Sequence, residues 1–520
     1  MSKLEYWIGA IVTTVLSIIV IPTNYRPPWW FLMKGDKINK KKLTIRDIPG
    51  PISLPLFGTK WIFSWFGKYR MDKIHDAYKD LNIRYGSLCK EEAFGNIPVI
   101  SVFSRCDIEK LLKCNSRQPT RPPSEIVVQY RNSRKDRYTH TGLVNVQGDE
   151  WQQLRDALTP GLINVKTVMG FFPSLNHVAD EFISLIKRKR NDGCVMAFER
   201  LAYRMGLEST CTLILGRYLG FLKPSTSSFT YKLAEAVRIH FTASRDAFYG
   251  LPIWKYLPTT VWKKFIKSEE EIYDLVSELL EETIDQQKED AKDEPIEAVF
   301  QSILREKTLD MNDKKAGIVD FIAAGIHTLG NTLVFLFHLI GTDKEIQKKL
   351  YDEVINLAPE GCDLVAENLR GAKYLRACIT EGFRMVPTAP CIARLLDAPI
   401  ELSGYQLEEG TVVLLHTWIA GLNDDNFYNA NEWMPDRWIK PLLPHSPLLV
   451  APFGAGRRIC PGKRFVEQAL QLIVAKIIRE FEIVAVKELE LQFEFIIAPK
   501  GPVPIIFKDR SEKFHDDKYT

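Results

Sequence analysis

The spacing of apolar and polar residues changes character several times along this chain, and each change predicts an element. Residues 6–21 are apolar except for Gly9, Thr13, Thr14 and Ser17, and Pro22 ends the run. That is short for a bilayer span, which needs about 20 residues, yet too unbroken for an ordinary surface helix. At 49–58 the residues Pro49, Pro51 and Pro55 with Gly50 and Gly58 exclude helix and predict a stiff, extended connector. Helical periodicity sets in near Asp72, and short strand-like runs follow at 87–88 and 98–103.

Between 151 and 385 the pattern predicts mostly helix. In 176–190 Val178, Phe182, Leu185 and Ile186 share a face, and Lys187-Arg188-Lys189-Arg190 suits a helix C-terminus. Residues 268–284 form a second amphipathic run, with Ser268 and Glu271 placed as a capping box, and 285–295 reads as a charged connection. The stretch 313–340 is long, unusually apolar and free of proline, so it must run through the core. Residues 391–416 predict short strands around a turn at Ser403-Gly404, 423–452 an irregular loop, 462–483 a helix and 493–507 a terminal β hairpin. No internal repeat is visible. The expected architecture is one mainly α domain with a small β part over 48–508, after an apolar segment (1–22) and a basic linker (23–47), and before a charged tail (509–520).

Composition narrows the function. Sixty-nine Lys+Arg against 65 Asp+Glu leave a formal charge of +4, too balanced for nucleic acid to be the partner. The nine cysteines, at 89, 106, 114, 194, 211, 362, 378, 391 and 460, include no C-x-x-C pair and no Cys/His cluster, which argues against zinc and against a disulfide framework. Seven basic residues between Pro22 and Asp47 (Arg26, Lys34, Lys37, Lys40, Lys41, Lys42 and Arg46) face only Lys3 ahead of the apolar run. By the positive-inside rule the body stays on the cytoplasmic side of a membrane anchor. The alternative is a cleaved targeting segment.

The sharpest local feature is Phe453-Gly454-Ala455-Gly456-Arg457-Arg458-Ile459-Cys460-Pro461-Gly462. Its glycines permit tight turns, and Pro461 suits a first helical position, which puts Cys460 at a helix N-terminus where a thiolate is stabilised. The run resembles the haem-binding signature of the cytochrome P-450 monooxygenases at every fixed position. The resemblance implies the P-450 fold and haem b (iron protoporphyrin IX) seated over Phe453, Gly454 and Gly456. Cys460 would be its axial ligand, the metal site, and Arg458 would face a propionate. A thiolate ligand pushes electron density onto iron and favours O–O cleavage.

Other constellations match the same family. Glu381 and Arg384 lie three apart on a helix among apolar neighbours, so a buried pair with further partners is expected. The family pattern adds Arg437 in Pro435-Asp436-Arg437-Trp438, the three forming a charge network that holds the cysteine loop. Trp151 and Arg155 share a helix face and match the family's propionate-carrying pair, and Arg394 matches a further propionate arginine. In Ala324-Gly325-Ile326-His327-Thr328 the resemblance assigns Gly325 to relief of crowding where oxygen meets the helix. Thr328 would organise the water that delivers protons. His327 departs from the usual Asp or Glu and has two readings, proton relay or packing.

Lys463 and Arg464 after the cysteine resemble the mitochondrial-type clan, which takes electrons from a small acidic, adrenodoxin-like ferredoxin. Arg376 matches one of the clan's two docking positions; Thr380 occupies the other, with Lys373 nearby. A solvated basic face is the plain alternative. Residues 320–332 and 176–180 resemble the arthropod ecdysone 20-monooxygenases, implying O2- and two-electron-dependent hydroxylation of the steroid ecdysone to 20-hydroxyecdysone. By analogy the pocket draws on 125–138, 323–328, 387–392 and 498–502. Another steroid or lipophilic substrate, a non-oxygenating haem-thiolate isomerase and a haem sensor or carrier are the rival readings. Location stays divided between the mitochondrial inner membrane with ferredoxin and the endoplasmic reticulum with the microsomal flavoprotein reductase.

Overall fold

The computed structural model describes residues 43–510 except 115–117, 290–298, 360 and 441–446. The apolar start, the linker up to Lys42 and the tail from Ser511 lie outside the described residues. Leu43–Asp47, read from sequence as the end of the linker, belong to the fold: β1 (Leu43–Thr44) pairs with Tyr405 and Gln406, and Asp47 accepts from Thr44 N–H at 2.7 Å.

The helices that frame the site are α1 (Ile74–Tyr85), α2 (Glu125–Ser133), α3 (Gly148–Leu158), α4 (Phe172–Lys189), α5 (Phe198–Leu215), α6 (Ser227–Tyr249), α7 (Thr260–Glu289), α8 (Met311–Thr342), α9 (Lys344–Leu357), α10 (Lys373–Met385) and α11 (Lys463–Glu480). The apolar run 313–340 is indeed the core helix, α8, started by Asp310, whose side chain accepts from Asp313 N–H. It packs so closely on α5 that glycine is required on both sides. A Cβ on Gly206 would stand 2.5 Å from the Ile326 carbonyl oxygen, and one on Gly330 would stand 2.6 Å from the Tyr203 ring. Bulk at such contacts forces helices apart.

Three local expectations change. Ser268 is buried inside α7 and donates to the Phe265 carbonyl at 2.8 Å, so it caps nothing. The apolar face simply continues upstream, where Trp262 stacks between Trp254 and Phe265. The helix also runs to Glu289, through part of the expected connection, whose remainder from 290 lies outside the described residues. Downstream, α11 ends at Glu480 and the expected helical residues 481–483 open β9 (Phe481–Ala485), paired over five residues with β12 (Ile505–Asp509). The expected terminal hairpin is divided: β10 (Leu491–Phe493) pairs with β11 (Ile497–Pro499), whereas β12 joins β9 and Cys194–Val195 in another sheet.

The small β part surrounds one end of the helices. β2 (Leu88–Glu92), β3 (Pro98–Val102), β8 (Val412–Leu415) and β5 (Ile392–Leu395) form a four-stranded sheet in that order, with β3 and β8 parallel. The turn at Ser403-Gly404 joins β6 (Ile400–Leu402) to β7 (Tyr405–Leu407), with left-handed φ of 46° and 83°. These strands enclose a second, smaller core containing Ile100, Val102, Val413 and Leu415.

Candidate active site

The cysteine loop is held by its own backbone. Cys460 N–H donates to the Phe453 carbonyl at 2.9 Å, Gly454 N–H to Ala451 at 3.0 Å and Ile459 N–H to Gly456 at 3.1 Å. Gly454 and Gly456 take φ of 75° and 70°, where a side chain would be strained. Phe453 packs edge-on against Phe383 of α10, 5.4 Å between centroids. Gly462 is the N-cap of α11, so Pro461 lies outside the helix and Cys460 precedes the cap by two residues, not at the first turn as expected. Burial pushes the Cys460 thiol up, while the N–H groups of Gly462 and Lys463 and the Arg155 guanidinium pull it back. Cys460 has exposed surface although it is set well inside the protein, so its sulfur faces an interior space and not bulk water.

Four arginines converge beside this loop. Arg155 Nη2 donates to the Ile459 carbonyl at 2.9 Å, and Arg394 Nη2 to Ala455 at 3.0 Å. Arg458 donates to the carbonyls of Pro119 and Val146 at 2.7 and 2.9 Å, and its guanidinium lies 4.4 Å from the Trp151 ring centroid. Trp151 is therefore the buried platform of Arg458, while Arg155 reaches the loop itself. The fourth is Arg121, whose side chain makes no hydrogen bond or ion pair among the described residues. Burial, then Arg121, Arg394 and Arg155, bring Arg458 down to about 10, and burial with Arg121 does the same to Arg394. All four remain protonated at neutral pH and repel one another, without a carboxylate in salt-bridge contact among the described residues. Such a cluster is complete only with an anion. An uncompensated set of guanidiniums beside a thiol on a glycine-turned loop fits haem, whose two propionates are that anion.

Across the interior space lies α8. Ala324 is exposed and Thr328 half-exposed in a mostly buried helix, and Thr328 Oγ1 donates to the Ala324 carbonyl at 2.6 Å. Thr332 Oγ1 lies 2.9 Å from Thr388 Oγ1, and Ile497 N–H donates to the Thr388 carbonyl at 2.8 Å, so the segment after α10 and the β10–β11 hairpin meet α8 here. Two expectations change. Gly325 faces away from this space: a Cβ there would stand 2.1 Å from Thr210 Oγ1 of α5, so its smallness serves helix packing. His327 is turned away as well. Its Nε2–H donates to the Ala234 carbonyl of α6 at 2.7 Å, and its ring lies on Tyr203 at 4.3 Å. Burial lowers it to about 4, so it is neutral at neutral pH.

Glu381, Arg384 and Arg437 form a fully buried cluster. Arg384 grips Glu381 through Nε and Nη2 at 2.9 and 2.7 Å, and Arg437 Nε donates to the same carboxylate at 2.9 Å. Trp438 Nε1 adds a fourth bond at 2.8 Å. The remaining donors reach the carbonyls of Gly421, Tyr428 and Ala430. The network thus pins the irregular 421–438 segment directly, and the neighbouring Phe383–Phe453 contact links its helix to the cysteine loop. Lys373 and Arg464 are exposed, and Lys463 lies 3.8 Å from Glu467. Arg376 is partly engaged by its own scaffold, donating to the Leu369 and Arg370 carbonyls at 3.0 and 2.9 Å.

Sequence reasoning missed Arg121 and Trp438. Trp438 stood inside the quoted Pro-Asp-Arg-Trp run. The signal for Arg121 was its place between Pro119 and Pro122-Pro123, a rigid segment that fixes where a long side chain points.

The comparisons with known proteins agree with this geometry. A family model described as Cytochrome P450 matches residues 48–505. The chain is 42% identical over 495 residues to the Drosophila melanogaster protein named Ecdysone 20-monooxygenase, covering 92% of this chain and 91% of that one. It is 26% identical to the mouse protein named 1,25-dihydroxyvitamin D(3) 24-hydroxylase, mitochondrial, over 90% of each. To the Drosophila melanogaster protein named Cytochrome P450 302a1, mitochondrial, it is 28% identical over 89% of this chain and 95% of the other.

Proposed function

The chain belongs to the cytochrome P450 family and is a haem monooxygenase; on that premise we propose that it hydroxylates ecdysone to 20-hydroxyecdysone. The observation that carries this reading is the 42% identity to an ecdysone 20-monooxygenase along nearly the whole of both chains. When bound, haem would supply activation of O2 and attack on an unactivated carbon. The chain supplies the rest. Cys460 Sγ would ligate the iron, and Arg121, Arg155, Arg394 and Arg458 would hold the propionates. The exposed Ala324 and its apolar neighbours exclude water and seat the steroid. Thr328 Oγ1 holds the water that passes protons, and His327 serves packing, because its one N–H is already committed to Ala234.

The mitochondrial names of two relatives support a ferredoxin donor and the mitochondrial inner membrane. Lys373, Lys463 and Arg464 supply the basic face that an acidic carrier would meet. Membrane contact is supported by two exposed apolar turns, Trp65-Phe66 at 94% and 60% and Tyr256-Leu257 at 78% and 60%. Packing of Phe63 on Tyr249, 5.3 Å between ring centroids, ties the first turn to the end of the helix that leads into the second.

The test is a carbon monoxide difference spectrum of the reduced, purified protein, followed by turnover of ecdysone with ferredoxin or with the flavoprotein reductase. A strongly red-shifted Soret band, a low-to-high-spin change with ecdysone and ferredoxin-dependent gain of one oxygen atom are expected. Thiolate ligation without any ecdysone-induced change would overturn the substrate. Product formed without an electron donor would mean an isomerase.

A further inference from the structure

One charged cluster has no part in the reading above. Arg131 of α2 is buried and donates to Asp320 of α8 through Nη1 and Nη2 at 2.9 and 2.6 Å, and to Glu269 of α7 through Nε at 2.8 Å. Its guanidinium also lies 4.6 Å from the Tyr138 ring centroid. Glu269 is further approached by Tyr138 Oη at 3.4 Å and by His240 Nδ1 at 2.9 Å, the latter at an ion-pair distance without hydrogen-bond alignment.

The two carboxylates differ in one respect. The Glu269 side chain is 4% exposed and surrounded by partners, whereas that of Asp320 is 26% exposed and is bonded, among the described residues, by Arg131. A carboxylate has about four lone-pair sites, and Arg131 occupies two of them. Asp320 also shares a face of α8 with Ala324 and Thr328, at successive intervals of four residues. Its backbone stands eight residues, about 12 Å, up the helix from Thr328, comparable with the long axis of a fused four-ring nucleus. A partly exposed carboxylate on that face, held by Arg131 and with half its acceptor capacity unused, is a device for reading a hydroxyl group.

We propose that Asp320, oriented by Arg131, is a specificity-determining residue that accepts a hydrogen bond from a ring hydroxyl at the end of the substrate remote from the oxidised carbon. The proposal rests on the steroid-hydroxylase reading and deepens it: the enzyme selects a sterol already hydroxylated on the distal ring. The reactions that supply its substrate must therefore have completed that hydroxylation first. Arg131 is a positioning residue, since it reaches the substrate only through Asp320.

The experiment is a spin-state titration of the purified holoenzyme with ecdysone and with ecdysone 2,3-acetonide, in which the ring diol is masked. The wild-type protein is expected to bind ecdysone at least tenfold tighter, because a polar site left unpaired penalises the masked analogue. Asp320→Asn should bring the ratio within threefold while the carbon monoxide spectrum and the affinity for imidazole stay unchanged. The double variant Arg131→Gln/Asp320→Asn, which removes that ion pair and leaves Glu269 to Tyr138 and His240, should give the same collapse. A tenfold ratio that survives in either variant would overturn the proposal and leave the cluster as a latch between α2 and α8. A wild-type protein that responds to neither compound would overturn the ecdysone reading, and this inference with it.

Discussion

On the cysteine side of the site, ten consecutive residues turn the loop and present the sulfur, and the helix that supports it follows at once. On the opposite side no such run exists: Thr328, Thr388, Ile497, Arg131 and Asp320 come from four distant parts of the chain, brought together by bonds between residues far apart in sequence. The difference reflects what each side must do. Holding one atom under a flat ring requires exact turns, which short-range sequence can specify through glycine and backbone hydrogen bonds. Enclosing a particular substrate requires shape and polarity, which arise from tertiary contacts and vary without disturbing the ligand.

The sharpest way to break this comparison is to attack the scaffold on the cysteine side. Arg384→Ala would leave Glu381 with Arg437 as its remaining cationic partner beside the neutral donor Trp438, and would strand the carbonyls of Gly421 and Ala430 that Arg384 now satisfies. Removing one member of a buried ion cluster costs about 3–5 kcal/mol. The expected outcome is little or no folded holoprotein, measured as haem retained per chain after gel filtration. Arg384→Lys, which cannot grip the carboxylate through two nitrogens, should recover only part of it. Normal haem content in Arg384→Ala would mean that the segment 421–438 is held by other means.

A subtler separation comes from the arginine cluster. Arg121 repels Arg394 and Arg458, and its side chain makes no hydrogen bond among the described residues, so it opposes folding of the haem-free chain and favours the loaded one. Arg121→Gln should therefore move two quantities in opposite directions. Thermal unfolding of the haem-free protein should rise by about 1 °C, equivalent to about 1 kcal/mol in a fold of this size, whereas haem should leave the loaded protein several-fold faster. Destabilisation of both forms would show that Arg121 is held by packing and not poised for an anion.

Legibility in the sequence follows the same division. Cys460, the Glu381–Arg384 pair and the core helix could be read because each is local: a turn, a three-residue interval, an uninterrupted apolar run. The roles first given to Gly325 and Ser268 failed for one shared reason, that a residue's neighbour lay on another helix. Gly325 is small because of Thr210, and Ser268 is helical because Trp262 and Phe265 extend the apolar face ahead of it. The strand that ends α11 was hidden because a β-branched run at a helix terminus has no periodicity of its own, and its partner β12 lies more than twenty residues away. Arg131 gave no signal at all. A single arginine in a charged segment acquires meaning only when Asp320 and Glu269 arrive from elsewhere.

The smallest effect at neutral pH, and the most instructive, is expected at His327. Its imidazole is lowered by burial from the ordinary 6.5 to about 4, so the unfolded chain binds a proton before the folded one does. Its contribution to stability is therefore intact above pH 6.5, declines as the pH falls towards about 4, and changes no further below that. The decline amounts to about 3 kcal/mol from the size of the shift. His327→Gln keeps an N–H able to reach the Ala234 carbonyl and cannot titrate, so it should flatten the acid limb of a pH–stability curve while leaving coupling of electrons to product unchanged at pH 7. Thr328→Ala should do the reverse, leaving the acid limb alone and reducing coupling several-fold if its hydroxyl has the proton-delivery role proposed for it. If His327→Gln instead reduced coupling and enlarged the solvent isotope effect on turnover, the imidazole would be a relay after all, and the packing role drawn from its bond to Ala234 would fall.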